Sequence, residues 1–207
     1  MKSRRLTRDE SRQLTRARLI DAAGRVFARA GFEAASVEDI SEEAGYSRGA
    51  FYSNFDSKDA IFLELLDRRR IEIKNALDEM LGRTTDLEER FRAAREWFID
   101  RSEERQWTIL KTELHLRALR SREIRKRLKV LLRQELESYS ALLGRYFSDA
   151  GIRPTEKPET VALSLLAVSQ GLGVLSLVGS GLTDGRTVKE SLSLAFDRLI
   201  ATAAAES

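Results

Sequence analysis

An all-α fold is expected for this 207-residue chain on three observations. Apolar residues recur at helical spacing along almost its whole length, only two prolines interrupt it, and no convincing strand pattern appears. With 42% hydrophobic and 33% charged residues, it has the material for a substantial core and too little net charge, +3, to stay unfolded. About nine helices are expected, and short ones give way to long ones near residue 57. Residues 1–57 therefore form an N-terminal three-helix head and 58–207 a larger helical body.

The first helix carries Leu19, Ile20, Ala23, Phe27 and Ala30 on one face, and Gly31 stops it. Ser36 with Asp39 makes a capping box for a second helix whose buried face is Val37, Ile40 and Ala44, and Gly45 ends it. Ser47 caps a third helix that places Phe51 and Phe55 inward and Arg48, Tyr52 and Asn54 elsewhere. After Asp56-Ser57, a long fourth helix begins near Lys58, follows Ile61, Phe62, Leu65, Leu66, Ile73, Leu77 and Met80, and ends at Gly82.

Leu87, Phe91, Ala94 and Phe98 define a fifth helix, and Trp107, Leu110 and Leu114 a sixth. A long seventh runs from Ile124 to Phe147 before Gly151 and Pro154, and Pro158 opens an eighth carrying Val161, Leu165, Val168, Leu172 and Leu175. A loop through Gly179, Gly181 and Gly185 leads to a ninth, Val188–Ala204. Val161–Leu182 holds no charge and is long enough to cross a membrane, but its serines, Gln170 and four glycines suit a helix buried at a subunit interface.

Charge is concentrated at one end: Lys2, Arg4, Arg5, Arg8, Arg12, Arg16, Arg18, Arg25 and Arg29 face only Asp9, Glu10 and Asp21. That excess suits a polyanion, and the basic arm Lys2–Arg12 has the reach to follow a DNA backbone or enter a minor groove. The charged segment Met1–Arg18 contains no signal-like apolar stretch, so a cytoplasmic location is expected. One histidine and no cysteine leave no metal cluster. Glu113-Leu114-His115 is not a zinc-protease spacing, and Gly171-Leu172-Gly173 follows no strand, so neither an enzyme nor a cofactor is expected.

Three short helices with a glycine-containing turn between the last two describe a helix-turn-helix, whose third helix enters the major groove. Arg48 matches the O6 and N7 acceptors of guanine, Gly49 and Ala50 allow close approach, and the Ala50 methyl suits a thymine methyl. Tyr52 suits a phosphate, as do Ser36 at a helix N-terminus and Lys58 at the start of the fourth helix. Ser47, Ser53 and Asn54 are further candidates for bases or phosphates, and Val37 joins Ser36 at the second helix's start.

From Ser36 to Lys58 the chain resembles the TetR family of regulators, whose signature runs through Ala44-Gly45, Ser47 and Gly49, then Tyr52, Phe55 and Lys58. Ser41 replaces a usual alanine, Phe51 a common aliphatic residue and Asn54 a frequent histidine. The resemblance implies double-stranded operator DNA as partner, a homodimer through the last two long helices, and an effector-binding and dimerisation body. Ala162, Ser169 and Gly173 would allow the close approach of a second copy. It also implies a partly apolar small-molecule effector, for which Trp97, Phe98, Trp107, Leu110, Glu113, Leu114, His115 and Gln170 are the candidate contacts. A nucleoid-like protein with little sequence preference and a helical protein-interaction adaptor are the rival readings.

Overall fold

The computed structural model describes residues 7–100, 105–179 and 184–204, which form nine helices and no strand. They are α1 (Arg8–Ala34), α2 (Val37–Ala44), α3 (Arg48–Tyr52), α4 (Lys58–Leu81), α5 (Leu87–Asp100), α6 (Arg105–Arg120), α7 (Arg122–Asp149), α8 (Pro158–Val178) and α9 (Gly185–Ala204). Lys2, Arg4 and Arg5 of the basic arm and Gly181 of the glycine-rich loop lie outside the described residues.

Capping chemistry sets most of the boundaries. Ser36 and Asp39 form the expected capping box, and Thr7 with Glu10 forms another at the start of α1. Ser47, Ser57 and Ser121 each accept a backbone N–H at the openings of α3, α4 and α7. Pro158 occupies the first turn of α8, where its missing N–H costs nothing. Asp184 caps α9 through Thr187 N at 2.7 Å, which starts that helix at Gly185, three residues before the apolar periodicity begins.

Gly31 breaks α1 rather than ending it. At φ 77° and ψ 169° it adopts a conformation essentially reserved for glycine, and the chain regains helical geometry before Ala34. The break turns Phe32 into the first core, where its ring stacks on Phe62 at 4.8 Å and tilts against Phe27 at 5.3 Å.

Helix α6 grips this bend. Glu113 Oε2 accepts the Phe32 N–H at 3.0 Å, and Gln106 Nε2 donates to the Ala28 carbonyl. Arg117 binds Asp59 through two N–H groups at 2.9 and 3.1 Å and Glu33 through a third at 2.7 Å, with its guanidinium 4.5 Å from the Phe32 ring.

The first core runs without interruption past residue 57: Leu19, Phe27, Ile40 and Phe51 of the N-terminal helices join Ile61 and Phe62 of α4, Leu110 and Leu114 of α6 and Leu128 of α7. A second core joins Phe147, Val161, Leu165, Phe196 and Ile200, and a third Ile99, Val188 and Leu192. Two of the α8 residues expected to meet a second copy, Ala162 and Gly173, point inward. Ala162 is buried, and a Cβ on Gly173 would come within 3.2 Å of the Thr108 side chain, so this close approach is to the chain's own α6.

Because alanine tolerates the Gly31 backbone poorly, Gly31→Ala should destabilise the fold by about 1–3 kcal/mol in urea unfolding. The loss should exceed that of Gly45→Ala, where φ is 73° and ψ 30° and the space is open.

Candidate functional site

The α2–turn–α3 unit is held from beneath by Ile40, Phe51 and Phe55, all buried. Gly45 supplies the left-handed residue of the turn, and Gly45 N and Tyr46 N return to the carbonyls of Glu42 and Ser41 at 3.0 and 2.9 Å. Ser41, buried where alanine would also fit, satisfies its hydroxyl on the Val37 carbonyl at 2.8 Å. Arg16 of α1 stacks 4.1 Å over Phe55 and donates to the Asn54 carbonyl at 2.6 Å, fixing the end of α3.

Above this support, Ser47, Arg48, Gly49, Tyr52 and Ser53 are exposed together. Arg48 lies beside the Tyr52 ring and pairs with Glu38 of α2 at 2.6 Å. Both partners are more than half exposed, so the pair contributes little stability and leaves the guanidinium available. Ala50 is half-buried at the edge of this face.

Four candidates have structural work to do. Val37 packs against the first core. Ser36 is engaged with Asp39 in both directions, at 3.0 and 2.7 Å, and that hydrogen bonding lowers the Asp39 pKa. The α2 N-terminus thus already carries the carboxylates of Glu38 and Asp39, in place of the free phosphate site expected there. Asn54 is half-buried and folds back, its amide donating to the Ala50 carbonyl at 2.8 Å.

Lys58 departs most from expectation. Instead of reaching toward a DNA backbone, its ammonium donates to the carbonyls of Phe32, Glu33 and Ala35 at 2.7, 3.2 and 2.7 Å and lies 4.4 Å from the Phe32 ring. It satisfies the carbonyls left open where α1 ends, and burial lowers its pKa.

In the body, a cavity of about 430 Å³ runs between α4, α5, α7, α8 and α9, with Lys111 as its α6 contribution. Trp97, Phe98 and Gln170 line it as expected. Leu110 and Leu114 do not: both are buried in the first core, on the α6 face turned toward α1. Glu113 is likewise occupied with Phe32. The principal apolar walls, Phe91, Leu143, Tyr146 and Phe196, escaped the sequence reading because helical periodicity does not distinguish a core face from a cavity face.

At one end of the cavity Arg90 pairs with Asp149 and Arg145 with Asp78, both at 3.0 Å. At the other lie Lys111, Glu135, Ser169 and Gln170. Lys111, Ser169 and Gln170 also line a groove between α6 and α8 that contains Trp107 and His115. His115 has its pKa lowered, first by burial and then by the nearby Lys111 charge.

The outer face of α8 is apolar: Leu163, Ala167, Gly171 and Leu175, at successive intervals of four, are exposed together with Val178. This 21-residue helix is long and apolar enough to span a membrane by composition, with a mean hydropathy of 2.0 over an 18-residue stretch.

Residues 19–65 match the family model described as bacterial regulatory proteins, tetR family. The transcriptional activator FasR of Mycolicibacterium smegmatis is 38% identical over 96 residues, 46% of this chain and 42% of that protein, so the match spans less than half of that relative. The uncharacterized helix-turn-helix regulator YdgC of Bacillus subtilis is 30% identical over 165 residues, covering 76% of this chain and 78% of its own. In fold, the chain resembles the B. subtilis regulator FadR solved with stearoyl-CoA, at TM-score 0.68 and 17% identity over 90% of this chain and 98% of that one.

Lys58→Met should lower unfolding stability by about 1.5–3 kcal/mol, the range for hydrogen bonds to a charged group. Unchanged stability with weakened DNA binding would instead return Lys58 to the phosphate backbone. For His115, the folded pKa lies below the unfolded value near 6.5, so between the two the unfolded chain binds more protons. Stability should therefore fall as pH drops through that window and level off below the folded pKa. In denaturant titrations across this range, His115→Gln should lose that component of the pH dependence.

Proposed function

The chain belongs to the tetR family of bacterial regulatory proteins and is a helix-turn-helix transcriptional regulator, and on that premise we propose that it is a homodimeric repressor, acting in the cytoplasm and released from a palindromic operator by a partly apolar small molecule. Residues 1–57 act as the DNA-binding head and 58–207 as the effector-binding and dimerisation body. The observation that carries the DNA reading is the shared exposure of Arg48, Gly49 and Tyr52 above a rigid apolar base. Arg48 reads a guanine edge, Tyr52 and Ser47 hold phosphates, and Gly49 lets the backbone approach.

A second copy covers the exposed α8 stripe and Leu194 of α9, which explains an apolar helix left so open in a single chain. The α8 residues at that contact are Leu163, Ala167, Gly171 and Leu175. The effector occupies the cavity beside Trp97, Phe98 and Gln170. The stearoyl-CoA bound by the FadR neighbour is consistent with an effector of mixed polarity.

Helix α6 couples the two ends, since Lys111 meets the cavity while Gln106, Glu113 and Arg117 hold the bend in α1. An effector that favours one placement of α6 shifts operator affinity, and operator DNA shifts effector affinity by the same factor.

Selection from a random duplex pool at physiological salt tests this. The wild type should enrich one inverted repeat with half-sites about 34 Å apart. Arg48→Ala should lose about 1–3 kcal/mol of discrimination at one base pair of each half-site, with thermal stability unchanged. Binding without enrichment would favour a nucleoid-like protein, and no binding an adaptor.

A further inference from the structure

Helix α7 opens with charge of one sign. From Arg120 to Arg133 the exposed charged residues are seven cations and the single acid Glu123. Arg125 turns back to the carbonyls of Ala118 and Leu119, where α6 ends. Among the described residues, none of the other six cations forms an ion pair.

Arg122, Lys126, Lys129 and Arg133 follow one another at intervals of four, three and four, so they form a stripe along one helix face. At about 100° per residue the stripe lies roughly 160° around the helix from Ile124, Leu128 and Leu131, which pack in the first core, and it faces solvent. Like charges at these spacings repel one another along the helix. Elsewhere the same spacing carries opposite charges: Arg68 pairs with Glu72, Lys74 with Asp78, Arg83 with Glu79 and Arg186 with Glu190. The stripe thus lacks the acids that the protein supplies to its other helices, and an external polyanion fits their place.

The setting favours duplex DNA among polyanions. Ile124 and Leu128 share the first core with Leu19 and Phe27 of the N-terminal head, and Arg117, near the end of α6, binds Glu33 and Asp59. The stripe is therefore fixed to the unit that grips DNA, and a duplex held by the head is present beside it at high effective concentration. Eleven helical steps extend the stripe over about 17 Å, a length in which one DNA strand places about five phosphates. A lipid surface fits less well, because an interfacial helix needs an apolar face to insert and that of α7 is spent in the core.

Resting on the reading of the head as the DNA-binding unit, we infer that Arg122, Lys126, Lys129 and Arg133 form a second, sequence-independent contact with the phosphate backbone of the duplex that the head holds. The contact adds affinity and salt dependence without reading bases.

One variant combines Arg122→Gln, Lys126→Gln, Lys129→Gln and Arg133→Gln. A charge-matched variant combines Arg83→Gln, Arg153→Gln, Lys157→Gln and Arg186→Gln, which are exposed elsewhere on the surface. Binding of a random-sequence duplex of about 40 base pairs is followed from about 50 to 200 mM potassium chloride, the range in which phosphate contacts dominate the salt response. Loss of four such contacts should flatten the plot of log affinity against log salt by about three to four, so the stripe variant should lose roughly a hundredfold less affinity than the wild type over that range. The charge-matched variant should keep the wild-type slope. Selection from a random duplex pool should return the same repeat for the wild type and the stripe variant.

An unchanged slope in the stripe variant overturns the inference, as does an equal change in the charge-matched one. It also falls if the four substitutions abolish binding to phosphatidylserine vesicles or polyglutamate and leave DNA binding alone, or if the wild type joins two duplexes where the stripe variant holds one. The fate of the underlying reading is separable. Sequence-selective DNA binding with an unchanged slope leaves the DNA-binding head standing and removes only the stripe, whereas a wild type that binds no duplex at any salt removes both.

Discussion

The bend at Gly31 is the constraint on which the rest of the arrangement depends. A positive-φ glycine inside α1 swings Phe32 into the core and exposes a set of backbone groups that no helix satisfies. Two helices supply the missing partners, Lys58 at the start of α4 for the carbonyls and Glu113 of α6 for the Phe32 N–H, and Arg117 of α6 adds pairs with the flanking Glu33 and Asp59 carboxylates. One local strain therefore sets where α4 and α6 stand against the N-terminal helices. The aromatic cluster of Phe27, Phe32 and Phe62 fills the angle they enclose.

The legibility of each part in the sequence follows from the range of the interaction responsible. Caps and turns are local, so Ser36, Gly45, Ser47 and Pro158 marked helix ends that the structure reproduces. The partners of Lys58 and Glu113 are separated from them by 23–26 and 81 residues, and nothing in a periodic pattern announces such a pairing. Lys58 consequently looked like a cation free to meet phosphate, and Glu113 like a cavity group. The same limit applies to α6: Leu110 and Leu114 have the spacing of any apolar face, and only the packed neighbours show that this face meets α1 rather than the cavity.

Helix α8 shows a related ambiguity. A helix apolar on nearly every side is compatible with a membrane, a protein core or an interface, and composition alone does not separate them. Its small residues divide in the folded chain. Gly173 faces Thr108 in a tight intramolecular approach, whereas Gly171, two positions earlier, faces open space within the Leu163–Leu175 stripe. Two glycines that read alike in sequence thus serve different contacts, one fixing α8 against α6 and the other leaving the outer surface flat.

This division gives α6 its position in the molecule. Gln106, Glu113 and Arg117 lie along one side of the helix and hold α1, while Thr108, Lys111 and His115 lie along another and meet α8, the groove or the cavity. A rigid helix with polar contacts on one side and a tight glycine contact on the other cannot roll or slide without disturbing both. Displacement at Lys111 must be absorbed either at Gly173, where there is no spare room, or at the bend in α1, where directional hydrogen bonds set the geometry. The bend leads directly into the helices that support Arg48. Under the proposed function, α6 is thus the element that links an effector in the cavity to the helices carrying Arg48.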